Sequence, residues 1–278
     1  VASGVVPWQC EVYDAVRGET LCGCALISPS WVITAARCLR SLSGPNNTAS
    51  DRDVSELTVL AGSASLFSSG SSARSVIRAQ IYPTYSLSFA PSQRVDLAWL
   101  QVARPYVYSA NLKPGEKEKR SSIFCFSFTI LFAVVLATSS DSALLSVGNN
   151  ATVSGWGSVV APPATLSFPD TLQRATINVV SCGAASSFQS FCASGANSGP
   201  CVGDTGAPLV AQSAKGSPLQ IGVASYGLDC GNPAQPFVFT AVGPFRDYIQ
   251  QYIDEPLYNG SSASLLSAAS AALIFIAL

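Results

Sequence analysis

The chain contains no histidine and no methionine among its 278 residues, and only 11% of it is charged, against about 25% in an average soluble domain. Without an imidazole there is no histidine general base, no Ser-His-Asp triad and no metal site of the histidine-bearing kinds. Neither a metal nor a cofactor is expected. Fifteen Lys and Arg stand against sixteen Asp and Glu, a net charge of −1. That balance offers no basic field to a phosphate backbone, and nucleic acid is not expected as a partner. Methionine is missing even at position 1, which marks a processed product or a fragment, so a missing signal peptide carries no information.

Apolar residues make up 48% of the chain, ample for the core of one large domain or two small ones. The nine cysteines, Cys10, Cys22, Cys24, Cys38, Cys125, Cys182, Cys192, Cys201 and Cys230, are too many for a cytosolic chain without a metal or redox motif. They point to an oxidising, extracellular compartment. N-x-S/T sequons at Asn46, Asn150 and Asn259 agree with secretion and are the candidate glycosylation sites.

Short apolar runs such as Trp31-Val32-Ile33-Thr34, Leu57-Thr58-Val59-Leu60 and Leu97 to Val102 recur between clusters of Gly, Pro, Asn and Ser. This pattern predicts many short strands closed into a barrel or stacked as a sandwich. Outside the C-terminal tail, one helix is predicted from Phe245 to Ile253, where Phe245, Tyr248, Ile249, Tyr252 and Ile253 fall at helical spacing.

Two segments break this texture. Residues 115–134 join the charged run Glu116-Lys117-Glu118-Lys119-Arg120 to an apolar block, Ile123 to Ala137, shorter than the roughly 18 residues of a membrane span. One reading is a retained intron of about 19 codons, whose in-frame removal would rejoin Pro114 to a valine before Val135. The other is a genuine hydrophobic surface loop, a liability without a partner to cover it. At the C-terminus, Asn259-Gly260-Ser261-Ser262 precede an apolar end. This is the form of a signal for a glycolipid (GPI) anchor or, equally, of a frayed tail. The expected organisation is an N-terminal barrel over 1–111, a linker over 112–139, a C-terminal barrel and helix over 140–256, and a tail over 257–278.

Several motifs stand in order along the chain: Pro7-Trp8-Gln9, Leu21-Cys22-Gly23-Cys24-Ala25-Leu26-Ile27, Thr34-Ala35-Ala36-Arg37-Cys38, Val95-Asp96-Leu97-Ala98, Ser154-Gly155-Trp156-Gly157, Cys201-Val202-Gly203-Asp204-Thr205-Gly206-Ala207-Pro208 and Ser225-Tyr226-Gly227. Together they resemble a trypsin/chymotrypsin-like serine peptidase domain over about residues 7 to 253. The resemblance implies an all-β fold of two packed six-stranded antiparallel barrels with a short C-terminal helix. It also implies three disulfides, Cys22–Cys38, Cys182–Cys192 and Cys201–Cys230. A hairpin turning near Arg17-Gly18 would put Cys10 opposite Cys24, within reach of a cross-strand bridge. Cys125 is then the odd one.

The same resemblance sets Arg37 where the family has its histidine base, and a guanidinium takes no proton from a nucleophile. Asp96 matches the triad aspartate, and Thr205 stands in the place of the serine. Threonine nucleophiles use a base such as their own N-terminal amine, and Thr205 is internal. The backbone N–H groups of Gly203 and Thr205 match the oxyanion donors, which stabilise an intermediate that nothing here generates. Gly199 replaces the basal aspartate of trypsins. Ser225 and Gly227 are pocket remnants, and Phe237 replaces a wall glycine, so that its ring would fill the substrate slot. Asp204 matches the aspartate that pairs with a newly formed N-terminus about a dozen residues before Pro-Trp-Gln. Only six residues precede Pro7, so Val1 is not expected to be that terminus.

Arg37, Asp96 and Ser225 are therefore expected to form a buried salt bridge with a supporting hydroxyl, and the four tryptophans to serve packing. Two functional readings follow. The first is a secreted, non-catalytic homologue acting on a protein partner as decoy, cofactor or inhibitor, with no metal and with membrane contact only through a lipid anchor. Glucanase inhibitor proteins of oomycete plant pathogens, which have this fold with a broken triad, are similar. The second is an endopeptidase with residual activity, using a base the sequence does not display.

Overall fold

The computed structural model describes residues 6–43, 48–68, 70–86, 95–107, 132–183, 189–196, 198–227, 230 and 235–257. Cys125, the sequons at Asn46 and Asn259, the tail beyond Leu257 and most of the 115–134 block lie outside these residues.

The first barrel begins with a hairpin of β1 (Gln9–Asp14) and β2 (Glu19–Leu26). The Asp14 carboxylate accepts the N–H groups of Val16 and Arg17 at 3.0 and 2.8 Å, and Gly18 takes the left-handed conformation that finishes the turn. β3 (Trp31–Thr34) follows, then a side hairpin of β4 (Arg40–Ser43) and β5 (Thr48–Asp51). β6 (Leu57–Ala61), β7 (Ser72–Ile81) and β8 (Ala98–Val102) complete a closed barrel in the order β1-β2-β3-β8-β7-β6. The three runs expected to be strands are strands, β8 starting one residue inside its predicted run.

In the second half, β9 (Val135–Leu136) lies parallel to β14 (Pro218–Tyr226). β10 (Asn150–Gly155), β11 (Gln173–Val180), β12 (Ser190–Ser194), β13 (Pro208–Gln212), β14 and β15 (Phe237–Ala241) pair antiparallel in the order β13-β10-β11-β12-β15-β14. Pairing of β13 with β14 closes the ring. The fold is thus two six-stranded antiparallel barrels, and closure removes the exposed edges that open sheets must protect.

Period-2 alternation explains why the strands look almost continuously apolar. Leu26, Val32 and Leu100 point into the first barrel, while Ala25, Ile33 and Trp99, one residue along or back, face a cluster shared with Val210, Val223 and Val134. Phe191, Leu209, Ile221 and Phe239 fill the second barrel. Each fully buried Leu, Ile or Phe contributes about 1.5–3 kcal/mol. The C-terminal helix α1 (Arg246–Tyr252) is shorter than the predicted 245–253, because Gly243–Phe245 wind as a 3₁₀ turn. Tyr248 and Tyr252 pack edgewise or tilted on Trp99, and Asp254 just beyond α1 accepts the Trp31 indole N–H at 2.9 Å. The helix therefore clamps the two barrels together.

Four disulfides join Cys10–Cys24, Cys22–Cys38, Cys182–Cys192 and Cys201–Cys230. Cys10 and Cys24 are direct partners in the β1–β2 ladder, with Cα atoms 4.8 Å apart. So disulfide-rich a domain is typical of extracellular proteins. Among the described residues no helix is long and apolar enough to cross a membrane. The Cys10–Cys24 bridge closes a loop across a sequence separation of 14, so Cys10→Ala/Cys24→Ala is expected to lower stability by about 2–3 kcal/mol. Urea unfolding measures that loss. Unchanged stability would show that the hairpin is held without the bridge.

Candidate active site

Asp96 precedes β8 and is completely buried. Its Oδ1 accepts the backbone N–H of Arg37 at 2.8 Å, and its Oδ2 accepts Arg37 Nε at 3.0 Å and the Ser225 hydroxyl at 2.6 Å. Arg37 sits in a 3₁₀ turn, Ala36–Leu39, fixed by the neighbouring Cys22–Cys38 bridge, and Ser225 lies near the end of β14. The expected trio is therefore assembled across the seam, two members from the first barrel and one from the second. Burial raises the Asp96 carboxyl above the ordinary aspartate range, against the opposing pull of the Arg37 charge and the Ser225 hydrogen bond. The Arg37 guanidinium also lies over the Tyr226 ring, 5.7 Å from its centre.

The loop 201–207 crosses the same seam. Gly203 (φ +101°) and Gly206 (φ +84°) have left-handed backbones, and a side chain at Gly206 would strike the Gly23 carbonyl. Gly23 N–H donates to the Thr205 carbonyl at 2.8 Å, and Gly206 N–H to that of Ala224 at 2.7 Å. These two bonds pin the loop to both barrels. The N–H groups of Gly203 and Thr205, and the Thr205 hydroxyl, have no acceptor or donor among the described residues. Two N–H donors without a described acceptor are thus present, but no described carboxylate or amine is hydrogen-bonded to Thr205 to act as its base.

Asp204 points the other way, into the protein. Its Oδ1 accepts Gly157 N–H and its Oδ2 accepts Cys201 N–H, both at 2.9 Å, and its carboxylate fills the space that side chains at Gly155 and Gly157 would need. Burial pushes its carboxyl up to about 6, the two N–H bonds opposing. Glu11 of β1, only 3% exposed, is also raised well above its usual range, first by burial and then by the charge of Asp204. Glu11 Oε2 has no hydrogen-bond partner among the described residues. No cation pairs with Asp204 among them either.

The Phe237 ring is buried and packs on Gly227, 2.5 Å from where a Cβ there would sit. It is tilted against Phe239 with ring centres 5.5 Å apart. Gly199 lies along a cavity of about 200 Å³ lined also by Asp204, Ser158 and Cys230. Asn150 is exposed at the start of β10. No group of three or more metal-ligating side chains gathers among the described residues.

Three features of the site were not predicted. Glu11 could have been noticed as an acid inside an apolar strand next to Cys10 and Val12. Tyr226 adjoins Ser225 in its motif, but only the fold shows Arg37 above it. Phe168 is 55% exposed, and its ring lies 3.1 Å from the Cβ position at Gly203; nothing near it in the sequence signals this.

Two closed barrels with a polar cluster and a nucleophile-type loop at their seam define the double-barrel peptidase class. A family model described as Trypsin matches residues 1–249, and the chain belongs to that family. It is 28% identical to mouse serine protease 28 over 90% of this chain and 85% of the other. It is 27% identical to hypodermin-A of Hypoderma lineatum, over 87% and 81%. It is also 27% identical to rat transmembrane protease serine 9, of whose length it spans only 21%. The solved structure of neuropsin, a serine protease of mouse brain, superposes with a TM-score of 0.67 at 23% identity, covering 91% of this chain and 97% of the other. That likeness bears on the fold.

The buried acids set a pH dependence. With Asp204 titrating at about 6 instead of 3.8, the folded chain keeps a proton that the unfolded chain has lost between those values. The contribution of Asp204 is therefore full below about pH 4 and falls by roughly 3 kcal/mol as pH rises to about 6, while the lowered carboxyls of Asp14 and Asp53 lose theirs only as pH falls. Urea unfolding across this range measures the decline. Glu11→Gln, a neutral isostere of the protonated acid, is expected to make it shallower. A flat profile in the parent chain would refute the assignment.

Proposed function

We propose that this protein is a secreted, non-catalytic member of the trypsin family that acts by binding another protein. The observation that carries the reading is Arg37. On the motif match it takes the position of the histidine base, and its Nε is committed to Asp96 at 3.0 Å in a chain without any histidine. A guanidinium so placed holds Asp96 as its counter-ion and leaves a hydroxyl nucleophile without a base.

Thr205 in the serine position, with no base hydrogen-bonded to it among the described residues, supports the same reading. So does Phe237, buried against Gly227, which on the motif match stands at a wall glycine of the slot a substrate side chain would enter. Specific peptide hydrolysis needs both a proton acceptor and a side-chain pocket. The four disulfides support secretion, and exposed Asn150 is the described position that glycosylation would use. The alternative, an endopeptidase with residual activity, rests on the family and on the names of its relatives, which are proteases. Fold alone does not license activity.

Hydrolysis of a mixed set of chromogenic and protein substrates tests this directly, with Thr205→Ala as control and the double variant Arg37→His/Thr205→Ser as comparison. The parent chain is expected to show no turnover beyond the roughly 10³–10⁴-fold over water that oxyanion donors and binding alone provide, and Thr205→Ala is expected to match it. Turnover abolished by Thr205→Ala would establish the endopeptidase instead.

A further inference from the structure

We infer that Arg37 makes the seam between the barrels a receptor for a carboxylate carried by a peptide. The inference rests on the non-catalytic reading above and names the chemistry that such a seam would recognise.

A guanidinium carries its N–H donors on a rigid planar fork that matches the two oxygens of a carboxylate. In Arg37 only Nε is engaged, with Asp96 Oδ2. Nη1 and Nη2 have no hydrogen-bond partner among the described residues, and the side chain is 29% exposed while that of Asp96 is 0%. The fork is thus held by three constraints: the Asp96 pair on one edge, the backbone N–H of the same residue on Asp96 at 2.8 Å, and the Tyr226 ring beneath it. Such a cation is pre-organised, so a ligand meets little of the ordering cost that a free surface arginine imposes.

The loop 201–207 supplies the second element. Gly203 and Thr205 N–H remain without acceptors among the described residues, because the loop is pinned through the Thr205 carbonyl and Gly206 N–H instead. These donors suit the neutral carbonyl oxygens of a peptide backbone. Arg37 therefore offers a charged fork for one carboxylate, and the loop on the same seam offers two neutral donors for main chain. A peptide bearing either an internal acidic side chain or a free C-terminal carboxylate fits this set.

Calorimetric titration of the full chain with four synthetic peptides separates the two sources. Two are capped at both ends and differ only in a central glutamate or glutamine. Two are alanine-glycine peptides ending in a free acid or an amide. At least one acid is expected to bind about tenfold more tightly than its neutral twin, a preference reduced at raised salt, and the stronger pair identifies the source. Arg37→Gln is expected to abolish the preference. Because it strands Asp96, the charge-neutral double variant Arg37→Gln/Asp96→Asn, which keeps a hydrogen-bonding pair, serves as the second test and must also lose it. Equal binding of acid and neutral twins, or a preference that survives both variants, overturns the inference. Mass spectrometry of the same mixtures reads the underlying proposal separately. Cleaved peptides would defeat the non-catalytic reading even where the carboxylate preference stands, and uncleaved, undiscriminated peptides would defeat only the receptor.

Discussion

A carboxylate cut off from water must be compensated by the protein, and Asp96 is that constraint here. Its two oxygens accept three hydrogen bonds, two from Arg37 and one from Ser225. Removing one member of a fully buried pair costs about 3–5 kcal/mol, because the remaining charge is stranded; the partial exposure of Arg37 lowers that figure. Ser225 belongs to the second barrel and Asp96 to the first, so satisfying one carboxylate also fixes how the barrels meet. The polar cluster needs no catalytic role to be retained.

The apolar seam and the loop geometry follow from the same meeting of barrels. Trp31, Ile33 and Trp99 present one face of the first barrel to Val210 and Val223 of the second, while Phe245 and Ile249 close the joint from the C-terminal helix. Backbones then come so close that Gly23 and Gly206 touch, and the loop between Cys201 and Pro208 is held by main-chain bonds at Thr205 and Gly206. Using one carbonyl and one N–H for anchorage leaves the N–H groups of residues 203 and 205 without an acceptor among the described residues.

Much of this was legible in the sequence because the signals were local or ordered. Runs such as Trp31–Thr34 carry strand composition with turn residues at their ends, and the Cys10–Cys24 pairing follows from counting back from a turn at Arg17-Gly18. The Arg37–Asp96 pair was legible through two separate motifs. Glu11 was not, since its significance depends on Asp204, almost two hundred residues away in sequence and on the other barrel. Phe168 was missed for a similar reason: a single aromatic in a loop has no periodicity, and its approach to Gly203 is a tertiary event. The helix start was misjudged because Pro244 allows a 3₁₀ turn ahead of the α-helix.

Glu11 and Asp204 show what the fold tolerates as well as what it requires. Buried Glu11 and half-buried Asp204 lie near enough for the charge of Asp204 to raise the proton affinity of Glu11, and Asp204 is met only by neutral N–H groups among the described residues. Such a site is stable in proportion to how readily it holds protons, in contrast to Asp96, which has a permanent cation beside it. One seam therefore contains two solutions to the same problem of buried charge: pairing with arginine at Asp96 and hydrogen bonds with retained protons at Asp204. Both carboxyls are raised by burial, but at Asp96 the Arg37 charge opposes the rise and at Asp204 only neutral N–H groups do.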